Sequence, residues 1–557
     1  MKRNIYLDNL PLDQAQSKWY SQLNLEPKIE KIDIREALGR RLAEKVVANI
    51  SSPHYPASAM DGIAVKAELT AGASEKNPIK LIKEEEYQLI DTGDPVAEQF
   101  DAVIMIEDVN ILEDGSVQIE KPAAPGQHIR KVGESLIARE VVLTAEEEIT
   151  PYAIGLTLEA NVKQVAVYAQ PEVEIIPTGT ELVEDKQELE VGDIIEFNSY
   201  VLGGLAKKWR GKPIREGIVA DDYQQIKKKV KQAVAERDFV VIIAGSSAGR
   251  EDYTAQIIDE LGEVIVHGVS IRPGGPTILG VIDDTPVMGV PGYPVAAALT
   301  FRLFARNVIY QLAGRKVPAV KKKKAKLSKK LVSSLGYREF VRVKLAELDG
   351  QLVASPLSRA AGVLGSVVEA DGLVAISEYS EGLERGEEVE VELLTEANGA
   401  DCLLVTGSDD LSLDLLKNQL QARGVTLTTQ HVGSRGGLTA LRRDEVHLAG
   451  VHLPVGSDYS HVEKFLGRRE FVAVNLAIRE AEIGGQSKRK ELNSLASDDL
   501  LTTSEEGVAK VRYDLIIPQE YLSDERVKKL LEQLKEEGFK AEINNLAGYQ
   551  MGKGTLS

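Results

Sequence analysis

Cysteine is almost missing from this chain, with Cys402 alone among 557 residues. A lone thiol excludes an internal disulfide, and nothing offers the paired Cys or His spacing of a structural zinc site. A long apolar run is missing too. Nowhere do roughly eighteen or more apolar residues follow one another, so no membrane-spanning helix is expected. A secretory signal is not expected either, because Asp8 and Asn9 interrupt Ile5, Tyr6 and Leu7 behind Lys2 and Arg3. A reducing cytoplasm fits these absences. There is also no basic excess: 67 basic against 86 acidic residues give a formal charge of −19, which repels a phosphate backbone at long range. Nucleic acid and membrane are therefore excluded as expected partners. The local exception, the run Lys321–Lys330, reads as a solvated connector and a boundary.

With 43% hydrophobic residues, the chain can bury several cores and is too long for one ordinary domain. The pattern predicts helices over Leu12–Leu23 and Ala37–Val47. Short apolar runs follow at Ile63–Val65, Ile79–Ile82, Ala102–Ile106, Val117–Ile119 and Val141–Leu143, separated by turn residues, and they predict a small β unit over 51–144. Ile149–Ala160 returns to helical spacing, so 1–50 and 145–165 are expected to form one discontinuous helical and linker unit, its flanking helices packed together. From Val165 the rhythm alternates strand and helix, which predicts a doubly wound α/β core over 166–318. Its expected strands are Glu172–Ile176, Pro213–Val219, Phe239–Ala244, Glu263–Val269 and Pro286–Val290. Its expected helices are Ser199–Trp209, Tyr223–Glu236, Tyr253–Leu261 and Val295–Leu312. Strand patterns at Phe340–Val343, Gln351–Ala354, Gly372–Ile376 and Glu388–Leu393 predict a small β-barrel-like domain over 328–396. Alternation resumes over 400–557, so the fold class is multidomain α/β with a β domain inserted, a second β domain after the core, and an extra α/β segment.

Chemistry concentrates at loops that follow the predicted core strands, where ligands of open α/β sheets bind. The apolar strand Phe239–Ala244 runs into Gly245-Ser246-Ser247-Ala248-Gly249, then Asp252 and a helix. Such a turn offers amide donors and a helix dipole to an anion, and alone it serves equally as a structural turn. It matches neither G-x-x-x-x-G-K-[ST] nor G-x-G-x-x-G, so no ATPase or dinucleotide fingerprint is present. Glu181, Asp221 and Asp222 follow other core strands while Asp252 closes the glycine-rich loop, and carboxylates beside an anion site suit a hard cation such as Mg²⁺ as bridge. Asp252 could instead cap the helix that follows it, and Asp221 or Asp222 the helix Tyr223–Glu236. Arg272-Pro-Gly-Gly-Pro276 supplies a guanidinium suited to phosphate, and Pro291-Gly-Tyr-Pro294 a rigid turn ahead of an apolar helix. In the β unit, Asp61 and the turn Asp91-Thr92-Gly-Asp-Pro95 are polar, and Arg130 adds a cation.

Taken in order, SAMDGIAV, DTGDP, GQHIRKVGES, PTGTEL, AGSSAGREDYT, RPGGP and PGYP resemble the molybdopterin molybdenumtransferases, the group of bacterial MoeA and the gephyrin E domain, over roughly Leu7–Leu394. The resemblance implies an elongated homodimer with its active cleft between subunits. It implies Mg²⁺-assisted reaction of molybdate with adenylylated molybdopterin, giving molybdenum cofactor and AMP, with other cofactor-assembly proteins as partners. Carried over residue by residue, it implies catalytic roles for Asp61, Thr92, Asp221 and Asp252, and metal binding by Glu181 and Asp252. It implies substrate binding by Arg130, Gly245, Ser246, Ser247, Gly249, Arg272, Pro291 and Pro294. The chain departs from many relatives at Ser135, where they carry an acid, at Arg272 and Gly275, where they carry lysine, and at Tyr293, where they carry asparagine.

Residues 400–557 resemble a periplasmic-type, LysR-like ligand-binding domain, on the stretches Asp401–Asp410, Thr429–Gly437 and Tyr513–Pro518. Only residues 478–512 separate the expected crossover strand Phe471–Ala477 from the return strand Tyr513–Pro518, so the second lobe is read as truncated and that stretch as a loop. Ser408 and Ser434 are its candidate oxyanion contacts, with a degenerate docking or dimer-supporting module as the equal alternative. The alternative to the enzyme is a protein of the same fold that binds or senses molybdate, tungstate or the pterin.

Overall fold

The computed structural model describes residues 9–185, 188–244, 253–397, 399–482 and 508–552. Its centre is a six-stranded sheet ordered Lys212–Ile214, Glu172–Pro177, Phe239–Ala244, Thr285–Pro291, Ile278–Ile282, Glu263–His267. The first four strands are mutually parallel, and Ile278–Ile282 pairs antiparallel with both of its neighbours. The central strand Phe239–Ala244 is apolar at every position because both of its faces are covered. Phe239, Val241 and Ile243 pack on one side with Trp19, Leu202, Phe301 and Phe304. Val240 and Ile242 pack on the other with Ile226, Val230, Ile257 and Ile258. Helices Asn198–Lys208 and Pro294–Leu312 thus lie on one face, and Tyr223–Glu236 and Thr254–Leu261 on the opposite one.

Several expectations are corrected. The first helix, Leu12–Tyr20, does not join the helix Pro151–Glu159; it lies on the core, where the indole N–H of Trp19 donates to Gly280 O at 3.0 Å. Ala37–Val47 is no helix. Its amides go elsewhere, Gly39 N to Ile149 O at 2.8 Å, Leu42 N to Glu147 O and Ala43 N to Ala166 O, so tertiary pairing overrides helix-favouring composition. The partner strand, Gln164–Tyr168, pairs with Ile29–Asp33. The strand expected over Pro213–Val219 stops at Ile214, and Gly217 takes a φ of +100° before Val219 makes a single bridge to Thr178.

The inserted β unit has two three-stranded sheets, one centred on Gly62–Val65 and one on Val117–Ile119. Val141–Leu143 leaves it to pair with Val46–Val47. The second β domain closes on itself, since Arg338–Leu348 pairs with both Gln351–Pro356 and Gly372–Ile376. The run Lys321–Lys330 is corrected from connector to barrel strand: Lys322–Leu327 lies between Gln351–Pro356 and Glu388–Leu393. Its outward lysines face carboxylates across the strand, Lys322 to Glu390 at 2.6 Å and Lys324 to Glu388 at 2.7 Å.

The extra segment has its own six-stranded sheet, ordered Thr426–His431, Cys402–Gly407, Leu448–Pro454, Val508–Pro518, Phe471–Glu482, Tyr549–Met551. Residues 478–482 and 508–512, read as loop, instead continue the Phe471–Glu482 and Val508–Pro518 hairpin in register to Glu482 opposite Val508. Cys402 is buried in this domain, and burial pushes its thiol up to about 11. Among the described residues no helix is long and apolar enough to cross a membrane.

Candidate active site

Parallel order places the carboxyl ends of the strands ending at Ile214, Pro177, Ala244 and Pro291 along one edge. Beyond Pro177, Thr178 stays fastened to the central strand, its amide and hydroxyl both donating to Ile243 O at 2.9 and 3.0 Å. The next turn is compact, since a β-carbon at Gly179 would lie 2.7 Å from Leu182 Cγ. This turn meets the loop that follows Ile214. Thr180 N donates to Asp221 Oδ2 at 3.2 Å, and Asp221 N donates back to Thr180 Oγ1 at 3.4 Å. Asp222 takes the cap, accepting from Gln225 N at 2.8 Å, so the two adjacent aspartates divide edge and helix between them. Glu181 is exposed beside them. Gly245, Ser246, Ser247, Gly249 and Asp252 lie outside the described residues, between the strand that ends at Ala244 and the helix that starts at Thr254.

Pro291 and Pro294 are buried at the end of one strand and the start of the next helix, and Tyr293 between them is 62% exposed. Two contacts that sequence reading missed hold this turn. Asn198 Nδ2 donates to Gly292 O at 2.7 Å, and Val295 N donates to Ala361 O at 3.1 Å from a loop of the second β domain. Asn198 lay one residue before the expected helix Ser199–Trp209, and Ala361 carried no signal at all. Arg272 pairs in strand register with Glu339 of the same β domain. Its guanidinium donates to Ser334 Oγ at 3.0 Å and lies 4.3 Å over the Tyr337 ring, leaving it exposed at the core's rim.

In the β unit, Asp61 and Thr92 come together: one oxygen of Asp61 accepts from both the hydroxyl and the amide of Thr92, each at 2.7 Å. Those two bonds, the hydroxyl's first, hold the Asp61 carboxyl below its ordinary range. Arg130 pairs with Ala57 in strand register and reaches Glu134 at 3.1 Å. A carboxylate does stand next to position 135. Glu159, from the helix Pro151–Glu159, accepts from Ser52 Oγ at 2.7 Å and from the Ser135 hydroxyl, and these bonds with Arg130 nearby hold it below the usual range. The candidate residues therefore fall into two groups, one on the β unit and one on the core edge.

The donors that the edge offers a metal are all carboxylate oxygens, and Mg²⁺ takes oxygen ligands, keeping several waters and needing only one or two carboxylates beside substrate phosphates. Among the described residues no group of three or more His, Cys, Asp or Glu is arranged to hold an ion. Carboxylate oxygens at this edge suit an Mg²⁺ shared with substrate oxygens.

Family models match four consecutive stretches: "MoeA N-terminal region (domain I and II)" over residues 10–160, "Probable molybdopterin binding domain" over 174–311, "MoeA C-terminal region (domain IV)" over 324–394, and "PBP superfamily domain" over 417–503. A Methanocaldococcus jannaschii protein named for molybdopterin biosynthesis is 37% identical over 406 residues, 69% of this chain and 98% of that one. The molybdopterin molybdenumtransferase of Haemophilus influenzae is 32% identical over 317 residues, 55% of this chain and 78% of that enzyme. A solved molybdopterin biosynthesis MoeA protein from Pyrococcus horikoshii shares 34% identity at a TM-score of 0.55, covering 70% of this chain and 100% of that one. With the core, the two β domains and the edge all in place, the chain belongs to the MoeA family, whose named members include molybdopterin molybdenumtransferases, and it continues into a PBP-type domain.

Proposed function

We propose that this chain is a molybdopterin molybdenumtransferase, joining molybdate to adenylylated molybdopterin with release of AMP. The observation that carries the reading is the reciprocal Thr180–Asp221 bonding at the carboxyl edge, beside the end of the strand Phe239–Ala244. Gly245, Ser246, Ser247 and Gly249 grip the terminal phosphate of the pterin side chain through amides and hydroxyls, and Arg272 and Arg130 bring positive charge to the anionic substrate. Pro291 and Pro294 fix the turn that borders it. Glu181 and Asp252 would hold Mg²⁺, which when bound neutralises charge on the phosphoanhydride and eases AMP departure. Asp61, kept ionised by Thr92, orients molybdate or its attacking oxygen, while Asp221 positions the Thr180 loop.

The working unit is a cytoplasmic homodimer in which the β unit of one subunit faces the core edge of the other. The exposed apolar side chains of Val191, Ile194, Ile195 and Phe197 support a covered face on the core. AMP release from adenylylated molybdopterin with molybdate and Mg²⁺ tests the reading. The wild type releases AMP, Asp252→Ala lowers the rate by roughly a hundredfold or more, as loss of a reacting-site group does, and Asp221→Asn lowers it by loosening the Thr180 loop. A wild type that binds the pterin and releases no AMP above background ends it.

A further inference from the structure

The extra domain is fused to the second β domain through a common core. Ala346, Leu348 and Val353 of the barrel pack in one cluster with Cys402, Leu404, Leu427 and Leu448. His447 Nε2 and Arg526 Nη2 donate to the same carbonyl, Glu347 O, at 2.9 and 3.0 Å. At this seam lies a cavity of about 290 Å³, lined from the barrel by Ser328, Lys329 and Ser355 and from the extra domain by Gln430, Arg443 and Glu445.

The chemistry of its wall is unbalanced. Ser328 is 6% exposed, and its hydroxyl has no hydrogen-bond partner among the described residues. Lys329 is half-buried, and its ammonium donates to a neutral group, Gln430 Oε1, at 3.1 Å. Arg443 adds a second cation, 4.0 Å from the one carboxylate, Glu445. Burial disfavours the charged form of both Lys329 and Glu445, lowering the first and raising the second, so the enclosed lysine gains most from an anion brought to it. A buried hydroxyl left without an acceptor costs free energy that a ligand oxygen recovers.

We propose that this seam is a regulatory site for a small tetrahedral oxyanion, held by the Lys329 ammonium, the Ser328 hydroxyl and the Arg443 guanidinium. The route to the reacting edge is short. Gln430 Nε2 donates to Ser355 Oγ at 3.2 Å and to Pro356 O at 3.0 Å, so the lysine's partner also grips the end of a barrel strand. That strand runs directly into the loop whose Ala361 O accepts from Val295 N and whose Gly362 lies against Tyr293. An anion that draws Lys329 from Gln430 changes the hold on Pro356 and, through this loop, the Pro291–Pro294 turn. The regulatory consequence rests on the transferase reading; the binding does not.

Equilibrium dialysis of the full chain with phosphate, sulfate and molybdate tests it, because the core edge and the seam separate by mutation. We expect two classes of anion binding in the wild type. Arg272→Ala weakens one, and Lys329→Met weakens the other at least tenfold, with Ser328→Ala weakening the same class. Exchange of the Val295 amide slows with anion in the wild type and in Arg272→Ala, and does not respond in Lys329→Met. Should Lys329→Met fail to fold, Ser328→Ala decides, since it removes one oxygen and adds no bulk. Folded Lys329→Met and Ser328→Ala that bind all three anions as the wild type does overturn the proposal. AMP release at a molybdate concentration below that which fills the seam is expected unchanged in Lys329→Met; absence of AMP release in the wild type would sink the transferase reading and leave the dialysis result standing.

Discussion

Thr92 gives both its hydroxyl and its amide to one oxygen of Asp61, and the two donors differ in what mutation can remove. Thr92→Val keeps the amide and the shape and deletes the hydroxyl. The Asp61 carboxyl, now depressed, should rise toward its ordinary value, so the acid limb of the pH–rate profile moves to higher pH. The rate of AMP release at neutral pH falls roughly tenfold to a hundredfold, the worth of one hydrogen bond to a charged group. An unmoved acid limb means that Asp61 does not titrate in the rate-determining step. Gly275 and Gly274 give a contrasting pair. A β-carbon at Gly275 meets nothing nearer than Val269 O at 3.5 Å, whereas at Gly274, with φ at +111°, it would lie 2.3 Å from Thr300 Cγ2. Gly275→Lys should therefore fold normally and lower KM for adenylylated molybdopterin, while Gly274→Ala loses about 1–3 kcal/mol in chemical denaturation. Asp61, Thr92 and Arg272 stand out as candidates because turn motifs in order single them out. Glu159 was not, since its role depends on Ser52 and Ser135, which are distant in sequence and adjacent only after folding.

Elements with one strong internal pattern were read well, as with Phe239–Ala244 and Tyr223–Glu236, whose observed bounds agree with the apolar run and with the helical spacing after Asp222. Elements whose state is set by a distant partner were not. Ala37–Val47 has helical composition and gives its amides to Glu147, Ile149 and Ala166, and the lysine run is a strand because it pairs with Glu388–Leu393 and sends Ala325 and Leu327 into the barrel core. His447 shows the same dependence with a pH signature. Its Nδ1 accepts from Leu404 N at 3.0 Å while its Nε2–H donates to Glu347 O, a pattern only the neutral ring can make. Burial, with Arg526 nearby, lowers it from 6.5 to about 4. The unfolded chain then binds a proton that the folded chain refuses between those values, so stability is full above about pH 6.5 and declines as pH falls to about 4. The loss approaches about 3 kcal/mol. Denaturant midpoints should drop across this window in the wild type and stay flatter in His447→Gln; equal slopes would show that His447 is not the group responsible.

At the scale of the whole molecule, the doubly wound core was legible from strand and helix alternation, and the closed barrel only in part, because closure depends on pairings that no local pattern records. The least legible feature was how the extra domain joins the rest. The lysine run reads as a boundary, yet the apolar surface that matters lies beyond it, at Ala346, Leu348 and Val353. The Methanocaldococcus relative matches over 98% of its own length and 69% of this chain, so what this chain adds is roughly the domain that covers those side chains. A chain ending at residue 397 would expose Leu348 and Val353, now 4% and 9% accessible, and would free the Glu347 carbonyl from both of its donors. Burial of two such side chains is worth roughly 3–6 kcal/mol, a large part of a domain's net stability. The truncated chain should therefore unfold its barrel at lower temperature and self-associate through the bare patch, as light scattering would show. Adding Leu348→Lys and Val353→Thr to the truncation should restore the particle size while leaving the melting temperature low. If the plain truncation keeps the full chain's melting temperature and particle size, the extra domain is an independent module and the shared core adds nothing to the barrel.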